Sequence, residues 1–134
     1  MTDIPPQLLR ETLDAFFRAI ESLDARRIAA CFAEDGEIED PVGSQVILGR
    51  AAIEASFAGG LVKLVRSAAV RTVFAQVAGD RIAAHWAMRA VATDGRTCGA
   101  EGIDVVFVNA RGEIRRVEGY WDAEAFVSCL RYPG

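Results

Sequence analysis

Apolar residues in the first part of the chain recur with the period of a helix. Pro5-Pro6 can open one, because proline in the first turn forfeits no intrahelical bond. Behind it Leu9, Leu13, Phe16, Phe17 and Ile20 form one apolar face. Asp24 can cap a second, short helix carrying Ile28, Cys31 and Phe32 and ending at Asp35-Gly36. A short strand then leads into Asp40-Pro41, and a third helix spans roughly Gly49 to Ala58 with Ile53 and Phe57 inward.

From Val62 the period changes. Segments 62–77, 81–93, 97–109 and 113–121 are rich in β-branched and aromatic residues. Turn chemistry separates them at Ala78-Gly79-Asp80, at Asp94-Gly95, the strongest hairpin signal, and at Ala110-Arg111-Gly112. Helices gathered first and meandering strands afterwards predict an α+β fold, not a parallel α/β sheet. A long antiparallel sheet with helices on one face must curl, and a curled sheet capped by helices encloses a pocket.

Composition narrows the class. The 134 residues are 51% hydrophobic and 25% charged, which suits one globular domain, 1–134, and excludes a disordered or fibrous chain. Net charge is −4, and apart from Arg26-Arg27 and Arg115-Arg116 the cations are scattered, so no nucleic-acid surface is expected. No cationic-then-apolar leader opens the chain and no eighteen apolar residues run together, so the expectation is a soluble cytoplasmic protein with no membrane partner. Cys31, Cys98 and Cys129 are far apart and suit neither a disulfide framework nor a CxxC metal site; they read as small buried apolar groups. The single histidine, His85, excludes a His-rich metal site, no acidic loop of EF-hand type is present, and neither metal nor cofactor is expected.

Most acids read as caps or solvated helix faces, among them Glu11, Asp14, Glu21 and Glu54, but two do not. Asp40 lies between Ile38 and Pro41-Val42-Gly43 at the end of an apolar segment. Asp104 lies within the apolar strand "GIDVVFV". Strand alternation puts Ala100, Gly102 and Asp104 on one face and Glu101, Ile103 and Val105 on the other. The Asp104 face is thus lined by small residues, which leaves room for something to sit against it. An unpaired carboxylate there costs several kcal/mol if ionised, so Asp104 should hold its proton. One acid beside a polar loop and another in a dry strand separates a base from an acid. The plainer alternatives are that Asp40 only stabilises a turn and that Asp104 pairs with Arg89 or Arg115.

The segments "FAEDGEIEDPVGSQVILGRAAIEASFA", "GIDVVFV" and "GEIRRVEGYWD" resemble the Δ5-3-ketosteroid isomerases, within the superfamily of cone-shaped α+β proteins that includes SnoaL-like cyclases and nuclear transport factor-like domains. The resemblance covers about Leu13 to Asp122. It implies a curved antiparallel sheet, three helices in the N-terminal half closing a deep apolar pocket, and a homodimer formed through the sheets. It further implies that Asp40 is the general base, that Asp104 is the protonated acid donating to an enolate oxygen, and that Trp121 is a pocket-wall aromatic. The substrate class is a small apolar ketone, steroid or polyketide. Where the family's principal oxyanion donor is a tyrosine, this chain has Phe16, and two supporting tyrosines correspond to Phe32 and Phe57. Phenylalanine donates no hydrogen bond, and losing one preorganised donor typically costs on the order of 10²–10³ in rate. His85 and Arg89, four apart on one strand, share a face, and if that face is the pocket either could donate in its place. Two other functions fit the residues: a polyketide cyclase or epoxide hydrolase using Asp40, and a non-catalytic binder of apolar ligands. The cyclase's usual second acid is missing between Leu61 and Val77.

Overall fold

Pro6 starts α1 (Pro6–Ser22), which buries Leu9, Leu13, Phe16 and Phe17 on one face. The helix stops at Leu23, whose φ of 55° is left-handed. The Asp24 carboxylate then accepts from the backbone N–H groups of Arg26 and Arg27 and starts α2 (Ala25–Ala29). The computed structural model describes residues 4–132; the expected domain limits at 1 and 134, and the first residues of the N-terminus read as leaderless, lie outside them.

α2 stops at Ala29 and does not continue to Asp35-Gly36. Phe32 instead opens β1 (Phe32–Glu39), because the neighbouring strand supplies bonds that a helix would forgo: the Ile114 N–H donates to the Cys31 carbonyl at 2.9 Å. The Phe32 carbonyl accepts from the Arg50 guanidinium. β2 (Ile47–Leu48) precedes α3 (Arg50–Gly59), close to the expected third helix, with Ile53 wholly buried. A further turn, α4 (Leu61–Leu64), takes the place of the first strand residues expected from Val62.

The strand meander follows: β3 (Val65–Ala78), β4 (Arg81–Ala92), β5 (Thr97–Val108) and β6 (Ile114–Trp121). They form one curved, unclosed sheet in the order β2-β1-β6-β5-β4-β3. Every neighbouring pair is antiparallel except β1 and β6, which run parallel. On β4 the even positions Ile82, Ala84, Trp86, Met88, Ala90 and Ala92 are buried toward the helices, as period-2 alternation requires. Among the described residues no helix is long and apolar enough to cross a membrane.

A helix not anticipated from the sequence, α5 (Ala123–Arg131), closes the chain, with the Asp122 carboxylate capping it through the Ala125 N–H. It corrects the reading of the cysteines. α5 folds back over the start of β5, so Cys129 meets Cys98 and the two form a disulfide, while Cys31 stays free. Spacing alone could not show this, because the pairing depends on a helix lying across a strand 31 residues away.

Gly102 sits where no side chain fits. A Cβ there would lie 2.6 Å from the Tyr120 carbonyl oxygen, 2.6 Å from Trp121 Cβ and 2.9 Å from Trp86 Cζ2. Gly102→Ala should therefore lose about 1–3 kcal/mol through overpacking, read from urea denaturation. The control Gly99→Ala, whose nearest neighbour is 3.7 Å away, should be near neutral.

Candidate active site

Register brings the two acids together. In the parallel pair Glu39 lies opposite Glu118, so Asp40 arrives beside Gly119, and in the antiparallel pair Asp104 lies opposite the same Gly119. The Val42 N–H donates to the Gly119 carbonyl at 2.7 Å, holding the segment after the Asp40-Pro41 peptide, which is cis. Arg116 of β6 clasps this junction from the other face, reaching Glu37 at 2.6 Å, Glu39 at 2.7 Å and Glu118 at 3.0 Å. Three carboxylates around one guanidinium fix the relative height of β1 and β6, and hence of Asp40.

A Cβ on Gly119 would fall 2.0 Å from Asp40 Oδ1 and 3.3 Å from Asp104 Oδ1. The two carboxyl oxygens are thus no further apart than the sum of those distances. Each is tethered by its own indole. Trp121 Nε1 donates to Asp40 Oδ1 at 2.6 Å, and Trp86 Nε1 donates to Asp104 Oδ1 at 3.0 Å. The two rings meet edge to face, centroids 5.5 Å apart, over Gly102.

Their surroundings differ. Asp104 is 7% exposed, and its carboxyl is pushed up to about 8, first by burial and then by the neighbouring Asp40 charge, against the pull of the Trp86 bond. Asp40 faces an open cavity, so solvent reaches it although protein surrounds it closely. Burial raises its pKa as well, and the Trp121 bond opposes the rise. The cavity measures about 440 Å³. Beside the acids and indoles its walls include Phe16, Phe57, Met88, Phe126 and Leu130, with Ser44, Gln45, Ser56 and Arg131 as further polar residues.

Of the residues singled out from the sequence, Asp40, Asp104, Phe16, Phe57 and Trp121 line this one cavity. Three do not. His85 lies on the opposite face of β4, partnered by Glu101 at 3.3 Å, because the even positions of that strand already face inward; Arg89 shares its outward parity. Phe32 is buried behind Phe16, the rings edge to face at 5.6 Å. Gly102 shares the Asp104 face, but the space above it is filled by the two indoles rather than left open. Among the described residues Asp104 pairs with no arginine: Arg115 binds Asp80 at 2.5 Å, and the Asp104 partner is Trp86. Trp86 and the α5 residues Phe126 and Leu130 also line the cavity; of these only Trp86 carries a sequence signal, the apolar parity it shares with Ile82, Ala84 and Met88. Among the described residues no three His, Cys, Asp or Glu side chains are placed to hold a metal ion.

A curved α+β sheet whose cavity holds two carboxyls of unlike environment defines the structural class. Residues 13–117 match the SnoaL-like domain family. Over 95 residues the chain is 38% identical to the Steroid Delta-isomerase of Nocardioides simplex, spanning 70% of this chain and 73% of that protein. Among solved structures it is similar in fold to SalBIII, an epoxide hydrolase/cyclase-like enzyme with a role in pyran ring formation in the polyether salinomycin. That likeness has a TM-score of 0.76 at 23% identity, over 88% of this chain and 93% of that one. The chain belongs to the ketosteroid isomerase/SnoaL-like family.

The proton on Asp104 has a consequence for stability. The folded chain keeps it to about pH 8, whereas the unfolded chain releases it near the ordinary value of 3.8. The stabilisation linked to that proton is complete below about pH 4 and is lost as pH rises toward 8. The raised pKa of Asp40 acts in the same direction. The urea midpoint should therefore fall between pH 4 and 8. Asp104→Asn keeps a carbonyl for the Trp86 N–H and should flatten much of that fall; an unchanged slope in this variant would place the titration elsewhere.

Proposed function

We propose that this chain is a ketosteroid isomerase-like enzyme that shifts a carbon–carbon double bond by intramolecular proton transfer next to a ketone. The observation that supports the reading best is the pair of carboxyls flanking Gly119, one open to the cavity and one buried with its pKa about 8. Each indole engages Oδ1, leaving Oδ2 of each acid for substrate. Ionised Asp40 removes a proton alpha to the carbonyl, and the electron pair of the C–H bond moves toward the carbonyl oxygen. Protonated Asp104 donates to the developing enolate oxygen. Asp40 then returns the same proton to a conjugated carbon, so the double bond migrates and no redox partner or cofactor is consumed. The walls are mostly hydrocarbon and aromatic, which suits an apolar ketone and keeps both electrostatic interactions strong.

Phe16 lines the cavity at the position where a tyrosine donor is expected from the family resemblance. Asp104 is then the principal donor, and turnover should be slow. A homodimer through the sheets is supported by a row across the outer face, where Phe74, His85, Ile103 and Tyr120 lie side by side on β3 to β6. Phe74 is 66% exposed, and Ile103 and Tyr120 nearly half exposed, on this surface.

Mixing the protein with 5-androstene-3,17-dione should generate conjugated-enone absorbance, and no signal above background removes the isomerase reading. Asp40→Asn should lower kcat by at least about 10², the usual contribution of a positioned general base. Phe16→Tyr should raise it, by up to about 10² where the new hydroxyl reaches the oxyanion. The pH profile of kcat/KM should be bell-shaped. Its acid limb follows ionisation of Asp40, and its alkaline limb lies near pH 8 where Asp104 loses its proton. Asp104→Asn should abolish the alkaline limb.

A further inference from the structure

α5 turns one face to the cavity along its whole length. Ala123, Phe126, Val127, Leu130 and Arg131, spaced i, i+3, i+4, i+7 and i+8, all line it. The start of the helix is fixed at the acid end, because Trp121, two residues before Ala123, holds Asp40. At the rise of an α-helix, Arg131 stands about 12 Å further along the axis. That end is fixed as well. Arg96 donates to the carbonyls of Leu130, at 3.0 Å, and Cys129, and the Cys98–Cys129 disulfide ties the same turn to β5.

Arg131 is the one cation among the described residues lining the cavity. Its side chain is exposed, and among the described residues no carboxylate lies within ion-pair distance of it. The cavity therefore carries charge of opposite sign at its two ends, with the Asp40 carboxylate beside the protonated Asp104 at one and Arg131 at the other. An anionic group on a ligand is repelled from the acid end and drawn to Arg131. Both forces orient a long ligand the same way.

We propose that Arg131 is a specificity-determining residue that receives a carboxylate at the far end of an elongated fused-ring ketone, leaving the reacting carbonyl beside Asp104. This rests on the isomerase reading for the identity of the ketone end, but the charge preference is a property of the cavity and can be measured without turnover. A cavity of about 440 Å³ is within the roughly 300–1,000 Å³ of small-molecule sites. A guanidinium suits a carboxylate because it can engage both oxygens at once.

The test is binding of a non-reacting pair: a 3-oxo-4-androstene bearing a carboxylic acid on its five-membered ring, and the methyl ester of that acid. Fluorescence of the two tryptophans, Trp86 and Trp121, both in the cavity wall, reports occupancy. At low salt the acid should bind about tenfold more tightly than the ester, and the ratio should shrink as salt is raised because Arg131 is exposed. Arg131→Met should bring the ratio close to one, and Arg131→Lys should restore part of it. Equal binding of acid and ester by the parent protein, or a preference surviving in Arg131→Met, overturns the assignment. Binding of neither steroid overturns it together with the steroid-sized reading of the cavity. An intact acid preference with no isomerisation of any Δ5 ketone overturns the reaction alone and leaves the Arg131 site standing.

Discussion

Everything in the cavity depends on the parallel pairing of β1 with β6. Among the described residues it is the one parallel contact in an otherwise antiparallel sheet, and it delivers Asp40 to the flank of Gly119 opposite Asp104. A carboxyl at the end of one strand and a carboxyl in the middle of another have no local reason to meet. They meet because a residue without a side chain lies between them: a methyl group on Gly119 would fall within 2.0 Å of Asp40 Oδ1. Arg116 holds the register from the far face by binding carboxylates on both strands, so the clamp that positions the site stands outside it. Two acids this close, one of them buried, do not both ionise cheaply, and the proton they retain stays mostly with Asp104.

The indoles explain why that arrangement tolerates two acids so close together, one of them buried. A buried carboxyl needs a partner whatever its charge. An arginine would have supplied one and lowered the pKa. An indole N–H satisfies an oxygen without adding a full charge, so burial still dominates at Asp104. The same two rings occupy the space above Gly102 and pack on each other at 5.5 Å. One aromatic pair therefore fills a gap in the sheet, places two donors and separates two carboxyl environments.

How much of this the sequence reveals depends on the range of the interaction. The face of α1 is legible because its spacing is local, and so is the parity that puts Asp104 on the inner side of β5. The orientation of His85 was available too, since Ile82, Ala84, Trp86 and Met88 take the inward positions and leave His85 and Arg89 outward. The small residues around Asp104 misled because a strand glycine records close approach without saying what approaches; Trp86 and Trp121 come from the neighbouring strands. Phe32 satisfied a helical spacing but lies in a strand, since the Cys31 carbonyl accepts from Ile114 and the Phe32 carbonyl from Arg50, both remote in sequence. The disulfide was hidden for the same reason, because α5 has to cross β5 before Cys129 can find Cys98.

The phenylalanines on the helices and the anchored α5 bear on the site in complementary ways. Phe16 packs against Phe17 and Phe32 and offers the cavity a hydrocarbon edge where a hydroxyl would have offered a donor. In the proposed isomerisation that apolar wall strengthens each remaining polar contact but leaves Asp104 alone to stabilise an enolate. The rate of that proposed reaction then depends more on how accurately the ketone is placed than on how many groups receive its oxygen. In the Arg131 proposal placement comes from the length of the ligand, and α5 is the element that lines the cavity along that length. It is joined to the acids through Trp121 at one end and pinned by Cys98 and Arg96 at the other. A wall anchored at both ends fixes its face relative to Asp40, so in the proposed reaction contacts made far from the reacting carbon are transmitted to it as position.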